Sequence, residues 1–203
     1  NLIFIVVIFL GLFYAIKYGN NARKHIIDSE KVLKKNKIEQ EVIELKYFGT
    51  INLKRLRDFD VETNLNGNQV SMDLNFMADS ISVKELEPTI SFLENLSEIE
   101  KIAINQILDN HSIGGTVQNY IDHHLEELDQ NQLNKFDIKS TDNQYQKREK
   151  ILNNIHLKRI GFYPEEKESL AIFDYTIGKD FTDYLIVIKF NSDKKFVDVY
   201  LES

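Results

Sequence analysis

The stretch SVKELEPTISFLENLSEIEKIAINQILDNHSIGGTVQNYIDHHLEEL, residues Ser82 to Leu128, is the only long helical signal in the chain outside its extreme N-terminus. Ser82 followed by Glu85 has capping-box spacing, the serine oxygen taking an orphan N–H and the glutamate reaching back. Leu86, Ile90, Leu93 and Leu96 then repeat at helical intervals, with Val83 and Phe92 beside them. Pro88 falls inside that stripe and removes one helical hydrogen bond, which predicts a kink or a restart. Ser97 with Glu100 repeats the capping spacing and predicts a second helix with Ile99, Ile102, Ala103, Ile107 and Leu108 turned inward. Asp109-Asn110-His111 and Gly114-Gly115 stop it. A third helix follows, carrying Val117, Tyr120, Ile121, His124, Leu125 and Leu128 at offsets of three and four.

Extended segments flank this block on both sides. Upstream, Leu45 to Leu53 form a first segment broken at Gly49, and alternating apolar residues then surround Asn66-Gly67, a strong hairpin signal. Val70, Met72, Leu74 and Phe76 share one face of the second hairpin strand, while Ser71, Asp73 and Asn75 take the other, so one face is expected buried and one wet. Downstream, residues 129–142 are polar and read as a loop, and Gln144 to Asn154 as a short helix. Four strands close the chain: Leu157–Tyr163, Leu170–Ile177, Tyr184–Phe190 and Phe196–Leu201. The short turns among the last three make them antiparallel. The expected class is α+β, an antiparallel sheet of N-terminal hairpin and C-terminal meander covered by the central helices.

Before all this, Leu2 to Ile16 (LIFIVVIFLGLFYAI) is an apolar run without a charge. Fifteen residues reach about 22 Å as a helix, short of the roughly 30 Å hydrocarbon core. The chain opens on Asn1 and not on methionine, so a complete span is expected to extend upstream. A signal-peptide core and a buried helix are the competing readings, but no small-x-small cleavage site follows. Residues 1–18 are therefore expected to be a transmembrane anchor, 19–40 a basic juxtamembrane linker and 41–203 the α+β domain. Residues 1–40 carry seven of the 25 Lys/Arg and three of the 32 Asp/Glu, so the formal charge of -7 divides into +4 there and -11 beyond. Bases just behind a span place that side in the cytoplasm. The expected protein is single-pass, with its folded domain cytoplasmic and the membrane itself a partner through Leu2–Ile16.

An acidic body makes nucleic acid an unfavourable partner and a basic protein a favourable one. The absence of cysteine excludes disulfides and thiolate metal sites. Asp122-His123-His124 with Glu126 and Glu127 is the best chemical constellation, since His123 and Glu127 share a helix face at i and i+4. No HExxH, P-loop, GxSxG or dinucleotide fingerprint accompanies it. No catalytic, cofactor-binding or metal-ligating residue is assigned and no cofactor is expected; a metal-dependent enzyme on the His123/Glu127 helix is the alternative to a non-catalytic binding domain. Acidic residues alternate along the wet strand faces, namely Asp58, Asp60, Glu62 and Asp73, then Asp174, Asp198 and Glu202. The first four are the candidate protein-binding residues, and no oligomeric state follows from the sequence.

Three segments carry a family resemblance: FGTINLKRLRDFDVETNLNGNQVSMDLNF (48–76), YIDHHLEEL (120–128) and FDYTIGKDFTDYLIVIKFNSDKKFVDVYLES (173–203). Together they resemble a bacterial family catalogued as a domain of unknown function, number two thousand and four, across residues 47–203. The resemblance implies an α+β fold and brings no catalytic residue with it. Small acidic domains of this general kind occur among bacterial immunity proteins, which suggests neutralisation of a toxin as a concrete form of protein binding.

Overall fold

The computed structural model describes residues 41–203, so the expected span Leu2–Ile16 and the basic stretch behind it lie outside the described residues. Among the described residues no helix is long and apolar enough to cross a membrane. The fold is α+β. Strands β1 (Val42–Leu45) and β2 (Gly49–Asn52) form a two-stranded ribbon. A six-stranded sheet runs in the order β3 (Phe59–Leu65), β4 (Asn68–Leu74), β5 (His156–Phe162), β6 (Ala171–Thr176), β7 (Leu185–Phe190), β8 (Phe196–Glu202). Every neighbouring pair is antiparallel except β4 and β5, which run parallel. The expected all-antiparallel sheet is corrected there. The helices carry the chain from the end of β4 back to the start of β5, and a connection of that length permits a parallel pair.

Five helices fill that connection: α1 (Val83–Glu94), α2 (Leu96–Ser112), α3 (Thr116–Glu127), α4 (Gln130–Lys135) and α5 (Gln144–Leu152). The Ser82–Glu85 capping box forms as read from sequence, and α1 continues through Pro88. The break comes later, at Asn95. The second expected capping box does not form: Asn95 is the N-cap of α2 and makes no side-chain cap. Glu100 turns into the core instead and accepts from the Asn66 amide of the β3–β4 turn. Ile102 and Leu108, expected inward, are exposed. The segment expected to be a polar loop contains α4, opened by a capping box of Asp129 with Gln132, and it ends in buried Phe136 and Ile138.

Specific contacts tie α1, α3 and α5 down. Phe92 of α1 sits among Phe162, Phe173 and Phe190 at centroid separations of 5.7, 6.2 and 6.0 Å, the aromatic centre of the core. The Tyr120 hydroxyl on α3 accepts the Ile177 N–H just past β6. Asp122 on α3 takes a two-toothed pair from Arg148 on α5, at 2.6 and 2.7 Å. That hydrogen bonding holds the Asp122 carboxyl below its ordinary range. The Asn66-Gly67 turn has φ of 49° and 92°, the left-handed pair that a two-residue hairpin requires.

Candidate protein-binding face

One face of the sheet packs on the helices through Val70, Met72, Leu74, Ile160, Phe162 and Phe173. Alternation puts the intervening residues on the opposite, open face. Register aligns Asp60 with Asp73, and Glu62 with Ser71, on β3 and β4. It aligns Ser71 with Arg159 on β5, and Arg159 with Asp174 on β6. On β7 and β8 it pairs Val187 with Tyr200 and Lys189 with Asp198.

The centre of this face is an ionic lattice. Arg159 donates from Nε and Nη2 to Asp73, at 2.5 and 2.7 Å, and from Nη1 to Asp174 at 2.8 Å. Its Nη2 also donates to the Tyr163 hydroxyl at 3.1 Å. Burial alone would lower the Arg159 pKa, but its hydrogen bonds to Asp73, Tyr163 and Asp174 outweigh it, so the guanidinium stays charged. Asp174 is buried, and burial pushes its carboxyl up despite the Arg159 hydrogen bond; its Oδ1 has no partner among the described residues. Gly161 leaves room for the lattice as it stands. A Cβ there would lie 2.7 Å from Arg159 Nη2 and 3.0 Å from the Tyr163 ring, so a larger residue would push these side chains from their present positions.

The four candidate acids divide. Asp60 and Glu62 are exposed on the open face, as read from sequence. Asp58 is exposed at the entry to β3, and its carboxylate accepts the Phe76 N–H at 3.3 Å. Asp73 corrects the reading: it is buried, accepting from Arg159 and from the Asn75 amide, and offers a partner no free carboxylate. Asp174 is likewise buried, whereas Asp198 and Glu202 are exposed at the far edge. Sequence reasoning missed Arg159, although an arginine between acids on neighbouring strands with glycine two residues on was a usable signal.

The His123 helix sends its two adjacent histidines to different surroundings. His124 is buried on the apolar face, its Nδ1 2.7 Å from the Tyr120 carbonyl oxygen. Burial lowers its pKa, with the Tyr120 hydrogen bond opposing and neighbouring His123 assisting. His123 is exposed and packs edge-on against Tyr184, with centroids 5.5 Å apart. Glu127 is exposed, and among the described residues no three His, Asp or Glu side chains converge on a metal-sized point. A separate cleft of about 580 Å³ lies between the start of α1 and the loop after β5, lined by Ser82, Pro88, Pro164, Lys167 and Ser192 among others. Two polar groups beside it are already engaged: Ser82 with Glu85, and Glu165 with the Met77 and Ala78 N–H groups.

No family model matches the chain, and no solved structure matches it.

Proposed function

We propose that this protein is a membrane-tethered, non-catalytic binding domain whose acidic open sheet face captures a basic protein, with neutralisation of a toxin as its most concrete form. The observation that carries the reading is the division of labour on that face. Asp60, Glu62, Asp198 and Glu202 stand exposed, while Asp73, Arg159 and Asp174 lock into one another between them. A rigid centre loses little conformational entropy on binding, and the exposed acids raise the encounter rate with a cationic partner.

The test uses a partner recovered by pull-down and then purified. Asp60→Lys with Glu62→Lys should slow association about tenfold or more and flatten its salt dependence. Folding stability should change by about 0.5 kcal/mol or less, because both side chains are exposed. An unchanged on-rate and salt slope would remove the open face from the binding site.

A further inference from the structure

β8 ends the sheet order, and among the described residues no strand pairs with its outer edge. The backbone there is guarded. Val199 donates its N–H to the carboxylate of Asp198 at 2.8 Å, so this N–H points away from β7. Two residues on, alternation turns the Leu201 N–H the same way. Lys189, the register partner of Asp198 on β7, lies over the Tyr200 ring at 5.5 Å.

Two recesses open beneath this edge on the helix side. One, of about 440 Å³, is lined by Asp109, Asn110 and Ile113 at the α2 end with Phe196, Asp198 and Val199. The other, of about 170 Å³, is lined by Tyr120, His123, Tyr184 and Leu201. Val199 and Leu201 are two residues apart, the spacing of side chains on one face of a strand. Around them Ile113, Tyr184 and Leu201 are 79%, 43% and 38% exposed. Alternation turns Asp198 and Glu202 towards the other face of β8; both are exposed, and Asp198 also borders the larger recess.

We propose that the outer edge of β8 accepts an extended segment of a basic protein as a seventh strand, with alternate apolar side chains entering the two recesses and the intervening lysines or arginines meeting Asp198 and Glu202. This rests on the preceding reading and names the partner's local form: an extended, alternating apolar and basic stretch. Main-chain hydrogen bonds supply affinity in such strand addition and alternate side chains supply specificity. Asp198 selects the occupant. A cation beside it draws the carboxylate into an ion pair and frees the Val199 N–H for the incoming strand. A second copy of this chain fits worse: antiparallel self-pairing about Val199 sets Asp198 against Tyr200 and Glu202 against Phe196, so no cation lifts the guard.

The experiment is hydrogen–deuterium exchange on the full chain in detergent micelles, with a blocked heptapeptide, Val-Lys-Val-Lys-Val-Lys-Val, as probe. Saturating peptide should slow exchange at Val199 and Leu201 at least tenfold. A peptide with glutamate for lysine, or one N-methylated at alternate residues, should not. Asp198→Asn keeps an acceptor for the Val199 N–H but loses the charge, and should weaken binding about tenfold. Protection elsewhere with none on β8, or equal protection by the N-methylated peptide, overturns the proposal. Concentration-dependent protection of β8 without peptide, with dimers on sedimentation, overturns it in favour of self-pairing. If the Asp60/Glu62 reversal slows partner capture while β8 exchange never changes, this inference fails and the acidic-face reading stands. If β8 is protected while the reversal has no effect, the acidic-face reading fails instead.

Discussion

Arg159 holds together two acids that would otherwise repel across β5. Removing its charge leaves Asp73 and Asp174 desolvated without a cation, and breaking a buried pair from one side costs about 3–5 kcal/mol. Arg159→Met should therefore lower stability in urea unfolding by an amount near the bottom of that range, since the arginine is partly exposed. Arg159→Lys should fall between, because one ammonium cannot reproduce the fork that reaches both acids. A loss under about 1 kcal/mol for the methionine variant would show that the lattice is not structural. His124 acts through pH. Its folded pKa is depressed by burial, so its contribution is complete above the unfolded value of about 6.5 and is lost as pH falls through the folded value. Glu100 has a raised pKa from burial and acts with the opposite sign, stabilising as pH falls. The two are separated by the difference between wild type and His124→Asn. That difference should shrink as the pH of thermal melts is lowered from about 7.5 towards 5; a constant difference would contradict the assignment.

At the scale of elements, the junction between α2 and α3 is the informative case. The N-cap of α3 is Gly115, which has no side chain to offer. Asn110, in the last turn of α2, supplies the missing acceptor by taking the Val117 N–H at 2.8 Å. Asn110→Ala should then cost about 1 kcal/mol, the ordinary loss for an N-cap, although this residue lies outside the helix it caps. Thermal denaturation checks it, and a change of a few tenths of a kcal/mol would reassign the cap to water. α4 shows a different blind spot. Its six residues bury no side chain, so no apolar stripe marks it in the sequence, and only the spacing of Asp129 and Gln132 signals a helix start.

At the scale of the molecule, the proposed tether sets where the acidic face operates. On the proposed topology, the bases behind Leu2–Ile16 would hold residues 41–203 on the cytoplasmic side. A reporter fused after Ser203 that is active only outside the cytoplasm should stay silent; strong activity would reverse the topology. The acidic face and the guarded edge of β8 would then meet only partners that reach the same compartment.

Sequence by itself determined the elements whose cause is local. The Asn66-Gly67 turn, the Ser82–Glu85 cap, the three main helices and the four C-terminal strands follow from turn chemistry, capping and periodicity within a few residues. Exposure of Asp60 and Glu62 followed from alternation alone. Only the tertiary structure decided what depends on partners far apart in the chain. The parallel pairing of β4 with β5 sets Asp73 beside Arg159, and a residue that alternation alone would place in water becomes a buried ion pair. Glu100 likewise has the spacing of a cap in sequence, but the hairpin turn carrying Asn66 comes against α2 and gives its carboxylate an inward partner. Periodicity specifies which face a side chain occupies; whether that face meets water or another charge is fixed by the elements packed beside it.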